Sequence, residues 1–319
     1  MQSYRLRITP QSAFATELLG DTLFGQLCWA IRHRLGETHL QTLLQGYTEN
    51  KPFAVVSNAF PQGMIPRPSL PVHYFAEANG KEKKSSELKI LKKRIWLPLE
   101  AVETPLAQWQ QHSKSNKEVG DIKQRLQAHN TLNRLTETTG TGAFAPYTMT
   151  QYWYQQGTTL DIYVLFDDTQ CSAAELQSCF DDIGCFGYGG DASIGMGKYR
   201  IDAFSPYPLP SQAHANACLS LASCAPQGCG FDPQRSFYQL SSHFGRHGDI
   251  AANMRAKPFK NPVLMTQAGA VFSTPVPKNG FIGQGLGGNG QLSKSIHETV
   301  HQGYAPVIGI HLPPLAEHK

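Results

Sequence analysis

Residues 184–199, Gly-Cys-Phe-Gly-Tyr-Gly-Gly-Asp-Ala-Ser-Ile-Gly-Met-Gly-Lys-Tyr, hold six glycines, three aromatic rings and Lys198. Glycine reaches positive φ without steric penalty and has no Cβ, so successive amides in such a stretch can approach a phosphate closely. The chemistry indicated is phosphate binding through backbone N–H groups; the alternative is a glycine-rich turn with no ligand. Neither standard nucleotide motif fits. Gly187, Gly189 and Ala192 have the spacing of the dinucleotide fingerprint, but a helical pattern precedes them where a strand is required. Ala192 stands where the first Walker A glycine should be, and Tyr199 replaces the Ser or Thr after Lys198.

A second constellation, His129-Asn-Thr-Leu-Asn-Arg-Leu-Thr-Glu-Thr-Thr, offers the Arg134 guanidinium, the carboxamides of Asn130 and Asn133, and several hydroxyls. These groups bind phosphates and base edges of single-stranded RNA. Phe144, Tyr147, Tyr152, Trp153 and Tyr154 follow and could offer stacking faces or fill the core of a hairpin. Seven basic residues and two glutamates lie between Lys81 and Arg94, so one segment carries the basic excess of a chain whose net charge is +4. That run is either a phosphate-neutralising patch or a solvated lysine face. Ser241-Ser-His-Phe-Gly-Arg-His-Gly and Lys257-Pro-Phe-Lys-Asn-Pro read as a further polar edge, with Phe259 between Lys257 and Lys260.

Two patterns invite catalytic readings. His297-Glu-Thr-Val-His301 matches the metalloprotease motif letter for letter, but that chemistry needs a long helix, and Gly303 and Pro306 follow at once. His33 is a lone candidate base, and Gly280-Phe-Ile-Gly-Gln-Gly-Leu-Gly-Gly-Asn-Gly is a second glycine-rich stretch. Seven cysteines include no Cys-x-x-Cys pair, and the gaps between Cys218, Cys224 and Cys229 are not those of zinc knuckles. Free thiols in a reducing compartment are the simpler reading. The amino terminus lacks the apolar run of a signal peptide, and no stretch of about 18 apolar residues is present. A cytoplasmic protein is expected.

The elements that must position these groups follow from periodicity. Tyr4, Leu6 and Ile8 alternate as a half-buried strand, and Leu23, Phe24, Leu27, Cys28, Ile31 and Leu35 form one face of a helix that Asp21 or Thr22 can cap and Gly36 ends. Thr38–Gln45 reads as helical and Phe53–Phe60 as a strand. Met64–Pro71, with three prolines around Arg67, must be extended and cannot sit inside a sheet, so a surface arm is expected. Leu160–Phe166 is a strand, Ser172–Phe180 a helix capped by Ser172, and Tyr199–Phe204 a strand after the glycine loop. Strand, helix, strand, insertions, strand, helix, strand is the order of a split βαβ, ferredoxin-like unit. Pro206–Pro210 reads as a linker. Strands follow at Ala217–Leu221, Ser236–Ser241, Val263–Phe272 and Val307–Leu312, with a helix over Ser293–Val300. The expectation is α+β, with domains at 1–205 and 211–319 and insertions at about 76–150.

Four blocks in this order resemble the RAMP superfamily of CRISPR effector subunits, within it the Cas five group of type III Csm complexes. They are Asp21-Thr-Leu-Phe-Gly-Gln-Leu-Cys-Trp-Ala, Gly187-Tyr-Gly-Gly-Asp-Ala-Ser-Ile-Gly-Met-Gly-Lys-Tyr, Lys257-Pro-Phe-Lys-Asn-Pro-Val and Thr299-Val-His-Gln-Gly-Tyr-Ala-Pro. The resemblance implies two ferredoxin-like, RRM-related domains with a glycine-rich loop and β-hairpin insertions. It also implies a subunit without catalytic site, metal or cofactor that binds the 5′ repeat-derived handle of the crRNA and bridges the large signature subunit to the backbone RAMP subunits. The implied RNA contacts are Arg67, Asn130, Asn133, Arg134, Gly187, Tyr188, Gly189, Gly190, Ser193, Gly195, Gly197, Lys198, Lys257 and Lys260. Asp191 and Met196 stand where relatives often carry Lys or Arg, which leaves phosphate contact in the loop to backbone amides, Ser193 and Lys198. The alternative is a repeat-cleaving endoribonuclease of the same fold, with His33 as base and Gly283–Gly290 as its glycine loop.

Overall fold

The structure is a computed structural model that describes residues 1–75, 85–248 and 258–314. Strand β1 (Gln2–Pro10) leads to helices α1 (Gly20–Leu35) and α2 (Glu37–Leu43) and then to β2 (Ala54–Pro61). An inserted stretch follows, with β3 (Met64–Pro66), α3 (Ser85–Lys92), β4 (Arg94–Pro98), α4 (Trp109–His112), β5 (Lys114–Ser115) and α5 (Asn116–Val119). The hairpin of β6 (Lys123–His129) and β7 (Tyr147–Trp153) completes it. The chain then returns through β8 (Leu160–Phe166), α6 (Ala173–Phe186) and β9 (Tyr199–Pro206).

Strands β2, β8, β1 and β9 form one antiparallel sheet in that order, so the two strand–helix–strand units interleave as the split βαβ pattern requires. Every residue of β8 is buried. Its near-continuous apolar sequence suits an inner strand covered on both faces. Ile162, Val164 and Phe166 face the core of α1 and α6, while Tyr163 turns into a second core with Leu219, Val271 and Ile308 from the carboxy-terminal half. The exception is Asp161, which is fully buried and receives Arg7 Nε at 2.8 Å, Arg7 Nη2 at 3.0 Å and the Gly63 amide at 2.9 Å.

Helix α1 presents Leu23, Phe24, Leu27 and Ile31 to the core, as their spacing predicts, and ends at Gly36. Its start is earlier than a cap at Asp21 or Thr22 would give: the helix begins at Gly20, whose amide donates to Asn58 Oδ1 at 2.8 Å. Helix α6 begins after Ser172, which forms a capping box with Glu175, and continues past Phe180 to Phe186. Met64–Pro71 is not a free arm. Met64–Pro66 pairs with β4 as the outer strand of a three-stranded sheet, β3-β4-β5, and Ile65 is wholly buried. The prolines are tolerated because the strand is short and at the edge.

The carboxy-terminal half contains β10 (Ala217–Ser220), β11 (Asp232–Phe237), β12 (Leu240–His243), β13 (Val263–Thr266), β14 (Val271–Ser273), β15 (Phe281–Gly287) and β16 (Val300–Ile310). Five of them form a sheet in the order β11-β14-β10-β16-β15, and β12 pairs with β13 apart from it. No α-helix occurs among the described residues of this half, so the molecule is α+β through its first half. The helix expected over Ser293–Val300 is a series of turns, in which Ser293 Oγ accepts the amides of Ser295 and Ile296, each at 3.1 Å. The halves are joined side by side. Gln302 of β16 donates through Nε2 to Val56 O at 2.8 Å and accepts from Val56 N at 2.9 Å, and Tyr304 Oη donates to Tyr47 O at 2.6 Å.

Candidate nucleic-acid interface

The β6–β7 hairpin carries exposed apolar and cationic side chains together. Six of the seven residues of β6 are exposed, and Leu126 in mid-strand and Leu132 and Leu135 beyond its end are 75%, 60% and 94% accessible. The Arg125 guanidinium lies over the Trp153 ring at 5.5 Å, and the His129 and Tyr147 rings stack at 5.3 Å. These are flat, accessible faces of the kind that bases stack on. The alternation of β7 divides the aromatic run: Tyr152 and Tyr154 pack against the first core, whereas Trp153 is exposed. Burial, with Glu17 close by, pushes the Tyr152 hydroxyl up to about 12.

At the tip, Asn133 is the organiser of the turn. Its Oδ1 accepts the Leu135 amide at 2.9 Å, and its own amide donates to Thr138 O at 3.0 Å. Asn130 and Arg134 are exposed beside it. Of the four non-loop groups expected in an RNA site before residue 135, Asn130 and Arg134 present their side chains to solvent, Asn133 is committed to the turn, and Arg67 lies elsewhere. Arg67 sits beyond β3, where its Nη1 donates to Leu91 O at 2.7 Å and partial burial lowers its affinity for a proton.

The glycine loop meets the base of the hairpin through residues 12–17. Phe14 exchanges two hydrogen bonds with Tyr152 at 3.0 and 2.8 Å, while Gly197 N donates to Ala13 O at 2.8 Å and Lys198 N to Ser12 Oγ at 2.9 Å. The Gly190 amide donates to Thr16 Oγ1 at 2.9 Å. Gly187, Gly189, Gly195 and Gly197 all have positive φ, and at Gly197 a Cβ would also overlap the Tyr188 carbonyl oxygen. The amides of Gly187, Tyr188, Gly190, Gly195 and Gly197 thus serve the protein's own fold. Ser193 is exposed and Lys198 half-buried, so they remain on the accessible side. Tyr188 is a correction: it is wholly buried, its hydroxyl donates to Glu17 O at 2.7 Å, and its ring faces Phe14, so no base can stack on it.

Lys257 lies outside the described residues, as do Lys81, Lys83 and Lys84 of the basic run. Lys260, the other expected cation of that segment, is described. Its amide donates to Gly245 O at 2.8 Å and its half-buried side chain lies near Cys28 and Asp21, where desolvation lowers the ammonium's pKa. The protease-like motif is also undone: His297 is in a turn with its imidazole against Gly290, and His301 is in β16, so the two do not share a helix face. Gly283–Gly287 is strand, not loop, and Gly285 is needed because a Cβ there would meet Tyr47 O. The three carboxy-terminal cysteines have separate partners: Cys224 Sγ lies 3.2 Å from Thr266 Oγ1, Cys218 Sγ lies 3.8 Å from Thr274 O, and Cys229 Sγ accepts the Gly283 amide at 3.3 Å. Burial pushes the Cys218 and Cys224 thiols up to about 12.

One grouping has no signature in the sequence. Asp21 at the start of α1, His243 at the end of β12 and His301 in β16 converge, with one ligand atom from each lying within 4.8 Å of the others. His243 Nδ1 is 3.1 Å and His301 Nε2 3.4 Å from Asp21 Oδ2. Burial alone would raise the Asp21 carboxyl, but the two imidazoles hold it below its usual range; burial lowers His243 against the pull of Asp21.

No protein-family model and no curated protein matches the chain. Solved structures do. A chain of the Csm1–Csm4 cassette in complex with pppApA is similar with a TM-score of 0.63 and 15% identity, over 98% of this chain and 100% of that one. The same cassette in complex with cA4 gives 0.64 and 14%, over 98% and 99%. The Csm3–Csm4 subcomplex of the type III-A CRISPR-Cas interference complex gives 0.59 and 14%, over 96% and 99%. The fold is that of Csm4. The likeness of fold spans nearly the whole chain. Among the described residues, no helix is long and apolar enough to cross a membrane.

Proposed function

We propose that this chain is a non-catalytic, RNA-binding subunit of a cytoplasmic type III CRISPR effector complex, holding the 5′ repeat-derived handle of the crRNA and bridging the large signature subunit to the backbone RAMP subunits. The observation that carries the reading is the Csm4 fold over 98% of the chain, in neighbours solved with Csm1 and with Csm3. The exposed faces of Tyr147 and Trp153, the cations Arg125 and Arg134, and the accessible Ser193 and Lys198 are the groups suited to a single strand. Exposed Leu240, Phe244, Phe259 and Leu264 of the carboxy-terminal half suit contact with neighbouring subunits. A non-catalytic role is favoured by His33, which stacks on Trp29 of the same helix, and by the strand that occupies Gly283–Gly287.

Binding of handle-bearing RNA by the Arg134→Ala, Lys198→Ala double variant tests the reading. Affinity at physiological salt should fall, and the salt dependence should become shallower by about 0.7 log units for each phosphate no longer neutralised, with the melting temperature unchanged. Unaltered affinity and slope would count against it. Incubation with repeat RNA in the absence of metal should give no discrete cut; a cut that His33→Ala abolishes would establish the endoribonuclease instead.

A further inference from the structure

The Asp21, His243 and His301 grouping has no part in RNA binding as proposed above. We propose that these three side chains form a site for one divalent transition-metal ion, with zinc the best match to the donor set. Both imidazole nitrogens are spaced from the carboxylate oxygen as a coordination shell requires, and all three ligand atoms lie within 4.8 Å of one another. A tetrahedral ion about 2.1 Å from each of its N and O ligands sets those ligands about 3.4 Å apart, and the two Asp21–His separations are 3.1 and 3.4 Å.

The second observation is independent of spacing. Asp21 Oδ2 and His301 Nε2 are both buried without a hydrogen-bond partner, in side chains only 1% and 5% accessible. Buried polar atoms are almost always hydrogen-bonded, whereas Oδ2 meets the two imidazoles at 3.1 and 3.4 Å without hydrogen-bond geometry. Here the two orphans point at each other and at His243. Lys260, the nearby cation, does not supply the missing bond, since Oδ2 has no hydrogen-bond partner.

The carboxylate is also pre-set for monodentate ligation. Asp21 Oδ1 accepts the Thr22 amide at 2.7 Å and the Thr22 hydroxyl at 3.2 Å, which fixes the group and leaves Oδ2 to face the imidazoles. Two imidazole nitrogens and one carboxylate oxygen are a borderline donor set that suits zinc and its first-row neighbours better than calcium or magnesium. The His243 side chain is 22% accessible, so the cluster is not sealed from solvent. Such an ion would pin the start of α1 to β12 and β16, three segments that are far apart in the chain.

The full-length chain, freed of metal with a chelator, should be titrated with Co²⁺ and Zn²⁺. We expect one equivalent to bind, a visible Co²⁺ ligand-field band, and a melting temperature that rises with Zn²⁺ concentration. His243→Gln, at a partly accessible position, should lose the equivalent and the band while keeping the circular dichroism of the metal-free wild type. Asp21→Asn should behave likewise, and if it fails to fold, His243→Gln decides. Absence of a stoichiometric ion in the wild type would overturn the site, as would an equivalent and band retained in His243→Gln. Handle affinity is read separately, so failure of the metal site leaves the RNA-binding reading standing or falling on its own test.

Discussion

Asp161 and Asp21 are both carboxylates with almost no access to water, but their surroundings differ. Asp161 lies inside the four-stranded sheet and is met by a two-pronged guanidinium and a backbone amide. Asp21 lies where α1 meets the carboxy-terminal strands; one oxygen is bound to Thr22 and the other faces two imidazoles without a hydrogen bond. A protein can bury charge either by completing its partners within the chain or by leaving a coordination position to be completed from outside. The first choice gives a fixed scaffold and the second a place where a ligand can change stability.

The largest effect should come from breaking the completed pair. Asp161→Ala strands the Arg7 guanidinium and the Gly63 amide together, and loss of one partner of a buried ion pair costs about 3–5 kcal/mol, read as a lower urea midpoint. Asp21→Asn should cost less in metal-free protein, about 1 kcal/mol, because it loses the attraction of the two imidazoles but strands no hydrogen-bonded partner. With Zn²⁺ at 100 times its dissociation constant, the wild type should gain about 2.7 kcal/mol that the variant does not. If the two aspartates were equally costly to replace without metal, the contrast would fail.

Smallest is the response of an exposed carboxylate. Glu175 accepts the Ser172 amide and hydroxyl in the cap of α6, and those bonds hold its pKa below the usual 4.5. A depressed acid adds stability that is present above its unfolded pKa and is lost as the pH falls through its folded value. Stability should therefore decline below about pH 4.5, and Glu175→Gln should flatten that limb. Ser172→Ala should cost about 1 kcal/mol at neutral pH.

The elements legible in the sequence are those whose pattern is local. The apolar run of β8, the helical face of α1 and the Ser172 cap each follow from neighbours within a few residues, and the order of strands and helices then gives the interleaved first sheet. Where a distant segment decides, the pattern misleads. Residues 293–300 have helical spacing, but the Ser293 hydroxyl takes the amides a helix would need. Val300–Ile310 is one long buried strand although only its end reads as such, because Gln302, Gly303 and Pro306 are accommodated by contacts with β2 and β15. Tyr188 stands among the RNA contacts the resemblance implies, and the Phe14 segment that covers it lies far away in sequence. Asp21, His243 and His301 have no spacing that signals a common site; only folding brings them together.

The bond between Gln302 and Val56 bears on how this protein can associate. β2 is an outer strand of its sheet, and an outer strand's free amides and carbonyls are a template for another chain. At Val56 one carboxamide occupies both positions, acting as a stand-in peptide group, and at Asn58 the amide is taken by Leu221 O at 2.9 Å. A foreign strand therefore finds this margin closed, while the opposite margin, β9, pairs with no strand of the carboxy-terminal sheet among the described residues. Sheet extension by a neighbouring polypeptide is therefore blocked at Val56 and Asn58.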